Sequence, residues 1–279
     1  MAAIYNSNLS KELLIYLHIP KAAGTTLNGI INQQYTNNKL FRFDGINSHQ
    51  LFTELPITEQ NRIQLLRGHF AFGLHKFISR PCTYFTVLRH PVKRVISQYH
   101  YIRNNPHNPQ SKFLQTISLE EYILKEGTKI CNQQTNMISG LSTPKNCSDR
   151  ELLQIAQNNL DEYFAVVGIT EMFDETLLIL RNRFNWKTPY YVKQNTAKKH
   201  SPTKSISQST IALIEEYGSL DLQLYDRAKQ KLQTQIAQLG EPFQKKLNFQ
   251  KQVNSIYQPF GKVYSTARHI VLKNILQVY

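Results

Sequence analysis

From His18 the chain reads His-Ile-Pro-Lys-Ala-Ala-Gly-Thr-Thr, ending at Thr26. Lys21 brings an ammonium, Thr25 and Thr26 bring hydroxyls, and Ala22, Ala23 and Gly24 are small enough to let backbone amides approach a ligand. At the entrance to a helix, such a loop aims several N–H groups, the positive end of the helix dipole and one cation at a single point. That point suits a polyanion. The spacing differs from a Walker A loop, where Lys directly follows the last Gly; here Lys21 precedes Gly24, which disfavours magnesium-dependent nucleotide hydrolysis. A second constellation is Arg89-His90-Pro91 with Ser97. Ser97 falls about 1.7 turns past Pro91 at ~3.6 residues per turn, so a guanidinium and a hydroxyl can close on one phosphate.

Both constellations need a strand behind them and a helix in front. Leu13–Ile19 is a continuous apolar run that reads as a buried parallel strand, and Leu27, Ile30, Ile31 and Tyr35 recur at helical spacing after a cap at Thr25 or Thr26. Tyr84–Leu88 repeats the pattern, with Pro91 at the first helical position and Val92, Val95, Ile96 and Tyr99 on one face. Tyr163–Ile169 is a third strand, followed by a helix that Asp174 would cap. Ser118 with Glu121, and Ser148 with Glu151, form capping boxes; Gly127, Gly218 and Gly240 read as helix stops. Strands alternating with helices predict an α/β fold with a central parallel sheet flanked by helices in three layers. No internal repeat or Pro- or Ser-rich linker divides the chain; residues 1–240 read as one domain and 241–279, rich in Gln and Lys, as a helical appendage or tail.

The chain has 279 residues, 41% hydrophobic and 11% aromatic, which excludes disorder as a global description. No apolar run approaches the ~20 residues of a membrane helix, and the polar start Met1–Ser10 lacks a secretory pattern, so a cytoplasmic location is expected. Cys82, Cys131 and Cys147 show no paired spacing and read as reduced thiols. The net charge of +14 fits nucleic acid, anionic lipid or an anionic small substrate. Its distribution narrows the choice. Residues 61–119 contain no Asp or Glu but include Arg62, Arg67, Arg89, Arg94, Arg103 and Lys112, and 187–209 is a second acid-free basic stretch. Solvated basic faces are the plain alternative; a nucleic-acid module with Tyr99 and Tyr101 near Arg103, and a phosphotransferase with an atypical P-loop, are the functional ones.

The loop Pro20–Thr26 resembles the 5′-phosphosulfate loop of carbohydrate sulfotransferases, the group containing heparan sulfate 2-O- and 6-O-sulfotransferases and bacterial relatives. Tyr84–Ser97 is similar to their 3′-phosphate motif. The resemblance covers roughly residues 13–235. It implies a P-loop-like fold and the donor 3′-phosphoadenosine 5′-phosphosulfate (PAPS), with 3′-phosphoadenosine 5′-phosphate (PAP) as product. It further implies sulfuryl transfer to an acceptor hydroxyl, on a glycan or other sugar-containing molecule. Within that reading Lys21, Ala22, Ala23, Gly24, Thr25 and Thr26 hold the 5′ side, and Arg89 and Ser97 the 3′-phosphate. The segment Arg67–Gly73 is similar to the Gly-His segment carrying the family's base, which selects His69 over His18, placed inside the strand run, and over His75; His90 stands beside phosphate. A histidine of ordinary pKa, ~6.5, retains a neutral fraction near neutral pH. Asn132–Met137 resembles an acceptor-side segment, implying roles for Gln133 and Thr135, with Arg94 and Arg103 as further acceptor contacts. Gln194–Lys204 is similar to a late loop folding over the nucleotide, implying Thr196 and Lys199. The loop has no Walker Ser/Thr and no evident acidic pair, so metal-independent catalysis is expected.

Overall fold

The computed structural model describes residues 12–43, 45, 47–141, 147–187, 191–192 and 206–276, with side chains as far as 259. In chain order the elements are β1 (Leu13–Leu17), α1 (Gly24–Gln34), β2 (Leu40–Phe43), α2 (Ser48–Thr53), α3 (Ile57–Arg62), β3 (Leu65–Gly68) and β4 (Cys82–Leu88). There follow α4 (Pro91–Arg103), α5 (Ser111–Thr116), α6 (Leu119–Glu126), α7 (Thr128–Cys131), α8 (Gln133–Ser139) and α9 (Asp149–Tyr163). The chain closes with β5 (Phe164–Ile169), α10 (Phe173–Phe184), α11 (Gln208–Tyr217) and α12 (Ser219–Leu276).

Among the described residues, five strands form one sheet in the order β2-β3-β1-β4-β5, and every pairing is parallel. Every residue of β1 is buried, as its unbroken apolar run requires when helices cover both faces. The crossover from β1 runs outward past β3 to β2, whereas that from β3 passes β1 to reach β4. With right-handed crossovers this reversal puts the intervening helices on opposite faces, the expected three-layer arrangement. One face carries α1 together with the end of α10, where the Trp186 indole donates to the Tyr35 hydroxyl at 2.9 Å. A second apolar cluster, including Val95, Tyr99, Ile123 and Ile214, joins α4, α6 and α11 away from the sheet.

The reversal also leaves a crevice beside β1 at the carboxyl ends of the strands. Register sharpens it: Leu17 lies opposite Gly68, and Leu88 opposite Ile169. The next residues, His18 with His69 and Arg89 with Thr170, therefore leave the sheet in adjacent pairs.

Three strands are legible in the sequence, at somewhat different bounds; β2 and β3 are not. Each has four residues and an arginine interrupting its apolar run, Arg42 or Arg67. Arg67 is tolerated because its guanidinium donates to the Asn28 carbonyl and to the side-chain oxygens of Asn28 and Asn32 on α1. Both serine capping boxes form. Neither threonine caps α1, whose N-cap is Ala23 in the left-handed region, and Asp174 lies inside the first turn of α10. The last helix bends at Gly240, where φ is 62°. Beyond the bend, Phe243 and Leu247 are 4% and 1% exposed and belong to the sheet's own core. Among the described residues no helix is long and apolar enough to cross a membrane.

Candidate functional site

The phosphate-sized loop is built from unusual backbone. Lys21 and Ala23 have φ of 67° and 59°, left-handed conformations costing non-glycine residues ~1–3 kcal/mol each. This folding brings the chain sharply from β1 into α1, whose N-terminal turn opens on the cleft. Gly24 itself is not left-handed; a Cβ there would lie 1.5 Å from the His18 Nε2 atom. The glycine is thus required by the His18 ring. Ala22 is fully buried in the core and its N–H donates to the Ile19 carbonyl at 3.3 Å, so it supports the loop and does not contact the cleft, correcting its expected place on the 5′ side.

The loop opens on a cleft of about 700 Å³. The strand ends supply His18, His69, Arg89 and Thr170; the loop and α1 supply Pro20, Lys21, Ala23, Gly24, Thr25 and Thr26; α4 supplies Ser97, Gln98, Tyr101 and Ile102. Asn108, Phe173 and Tyr191 complete the wall. Among the described residues no carboxylate lines it. Arg89 bridges the two constellations directly, its guanidinium donating to the Lys21 carbonyl at 2.8 Å. Its Nε is buried without a protein partner, so the guanidinium retains unused donor capacity. The Lys21 ammonium rests 3.8 Å from the centre of the Tyr101 ring. Burial, then the Arg89 charge, lower its pKa to about 8. These groups form a cationic cleft, with Arg89 and Ser97 contributed from the β4 and α4 side and Lys21 with the α1 turn from the β1 side.

The two histidines differ in environment. Their ring centres are 4.1 Å apart. His18 also stacks on Tyr16, and burial, followed by the charges of His69, Arg67 and Lys21, lowers its pKa to about 3. It stays neutral. His69 is exposed at the cleft, and its Nδ1 lies 2.7 Å from the His18 carbonyl oxygen. A carbonyl only accepts, so Nδ1 carries the proton and neutral His69 presents the Nε2 lone pair. The strand ends at Leu17, which frees the His18 side chain for the cleft; its expected place inside the strand is corrected.

The expected acceptor residues lie elsewhere. Arg94 is fully buried, donating to Gln98, Gln133 and the Ile130 carbonyl and pairing with Asp221 at 3.8 Å. Gln133 is occupied as an acceptor for Arg94, and Thr135, fully buried, donates through N and Oγ1 to Asp221. Arg103 sits on Tyr99, donating to its hydroxyl at 3.0 Å. Arg94, Gln133 and Thr135 are held by partners that offset the cost of burying them, Arg103 packs along its own helix, and none of the four lines the cleft. Thr196 and Lys199 lie outside the described residues. Two cleft residues are not evident from sequence motifs: Thr170, which follows a strand end as Arg89 does, and Tyr191, which carries no local signal.

The family model for galactose-3-O-sulfotransferases matches residues 6–248. The chain belongs to the galactose-3-O-sulfotransferase family. Within the wider group of similar proteins, mouse galactose-3-O-sulfotransferase 2 is 22% identical over 190 residues, covering 63% of this chain and 47% of its own length. Chicken heparan-sulfate 6-O-sulfotransferase 1 is 27% identical over 175 residues, covering 52% and 42%. This galactose-3-O-sulfotransferase family member thus spans about half the length of those relatives. The crystal structure of mouse sulfotransferase SULT7A1 complexed with PAP is similar at a TM-score of 0.40 and 13% identity, over 76% of this chain and 65% of that one.

Proposed function

We propose that this chain transfers a sulfuryl group from PAPS to a carbohydrate hydroxyl, using His69 as the base. The observation that carries the reading is the meeting of the Lys21 loop and Arg89 in one cleft with no carboxylate among its described lining residues, and an exposed, oriented histidine at the adjoining strand end.

The donor supplies the sulfuryl group. Arg89 and Ser97 hold its 3′-phosphate, and the α1 turn from Ala23 to Thr26 holds the 5′-phosphate. His69 Nε2 takes the acceptor's proton as the acceptor oxygen bonds to sulfur. The bond from sulfur to the 5′-phosphate oxygen breaks, and its electron pair leaves on that oxygen. Lys21 stabilises the charge gathering there, moving off Tyr101 to do so. The neutral sugar hydroxyl needs a base because it is a weak nucleophile while protonated.

Transfer of radiolabelled sulfate from PAPS should be detected on at least one member of a panel of galactose-terminated and glucosamine-containing glycans. His69→Ala should lower that transfer by ~10²–10⁴-fold while keeping PAP binding. Full activity in His69→Ala would remove the base. Magnesium-dependent turnover of ATP without sulfate transfer would favour a phosphotransferase instead.

A further inference from the structure

Arg89 stands in a gap between two ladders. Strand β4 ends at Leu88 and α4 begins at Pro91, so neither the sheet nor the helix claims both of its main-chain groups. One buried side chain claims them. The Oε1 of Gln134 accepts from Arg89 N–H and its Nε2 donates to Arg89 C=O, both at 2.9 Å. The amide replaces the neighbouring strand that Arg89 lacks. Gln134 is 0% exposed, and its own N–H donates to Asp221 Oδ2 at 3.1 Å. Asp221 in turn accepts from Thr135 and pairs with Arg94, which ties α8 to α12 and α4. The backbone direction at Arg89, and with it the direction of a guanidinium that touches the Lys21 carbonyl, is therefore set by a side chain outside the cleft.

We propose that Gln134 is a positioning residue for Arg89 and that it sets the selectivity of the site for nucleotides bearing a 3′-phosphate. The proposal rests on the nucleotide reading above. A planar amide that engages both N–H and C=O restrains rotation of the Arg89 peptide planes, whereas one hydrogen bond would leave a hinge. Loss of that restraint spreads the guanidinium over several directions and weakens its hold on the 3′-phosphate more than the 5′ side, which the α1 turn holds even where the Arg89 bond to the Lys21 carbonyl loosens.

The test is calorimetric binding of PAP and of adenosine 5′-phosphate, which lacks the 3′ group, with thermal unfolding of each variant. The wild type should prefer PAP, and Gln134→Met should lower the preference by about tenfold or more, equal to ~1.4 kcal/mol. Gln134→Glu keeps an acceptor for Arg89 N–H but loses the donor to its carbonyl, and should fall between the two. Thr135→Val removes a hydroxyl bond to Asp221 without touching Arg89; it should lower the unfolding temperature and keep the preference. An unchanged preference in Gln134→Met overturns the proposal, as does an equal loss in Thr135→Val, which would mean general loosening. Should Gln134→Met not fold, Gln134→Glu decides, and a wild-type preference there is the overturning result. No preference in the wild type would instead sink the nucleotide reading and this inference with it.

Discussion

Lys21 is held in a poor place for a cation. Burial and the nearby Arg89 charge bring its pKa to about 8 from the ordinary 10.5, so between those values the folded protein binds fewer protons than the unfolded chain. The contribution of Lys21 to stability is therefore unfavourable below about pH 8 and improves as pH rises through that window. Anion binding has the opposite demand, because it favours the ammonium. PAP affinity should fall as pH rises above about 8, and Lys21→Met should abolish that fall while raising the unfolding temperature at neutral pH. Calorimetry across pH 7–10 with both proteins checks the two together; a pH-independent affinity in the wild type would show that Lys21 does not meet the nucleotide.

The junction of β1 and α1 depends on one close approach. A Cβ on Gly24 would overlap the His18 imidazole, which stacks on Tyr16 and packs against the His69 ring. Gly24→Ala should therefore destabilise the protein by ~1–3 kcal/mol, the usual cost of overpacking. Adding His18→Ala should recover part of that loss, because the two changes share one contact; a double-mutant cycle in urea measures the coupling. Additive losses would place the strain of Gly24→Ala elsewhere. The capping boxes and the apolar runs of β1, β4 and β5 are local features, and they are readable for that reason. By contrast, β2 and β3 depend on partners. A four-residue strand with a central arginine gains its stability from neighbours distant in sequence, as Arg67 does from Asn28 and Asn32.

Across the whole molecule, α12 serves two layers. Its first half carries Asp221, buried against Arg94, and the part beyond Gly240 seats Phe243 and Leu247 in the sheet's core. Removing one member of the buried pair leaves the other uncompensated, so Asp221→Ala should cost ~3–5 kcal/mol, whereas Arg94→Met with Asp221→Leu should cost markedly less. Leu247→Ala should cost ~2–5 kcal/mol, as expected of a core leucine. Chemical denaturation measures each. A loss near zero for Leu247→Ala would show that the segment past Gly240 detaches without consequence.

The phosphate-sized loop, the Arg89 and Ser97 pair and the alternation of strand and helix are written in contiguous residues, because turn geometry, helix entry and strand burial act over a few positions. The locations of Arg94, Gln133, Thr135 and Gln134 are not. Along the chain they read alike, as polar groups near a basic site; only packing against Asp221, or against the Arg94 that pairs with it, separates braces from cleft residues. The same holds for His18, whose neutral state comes from burial and from the charges of His69, Arg67 and Lys21 that the folded sheet gathers around it. Burial and charge pairing are properties of three-dimensional neighbours, and those are decided when the strands come together.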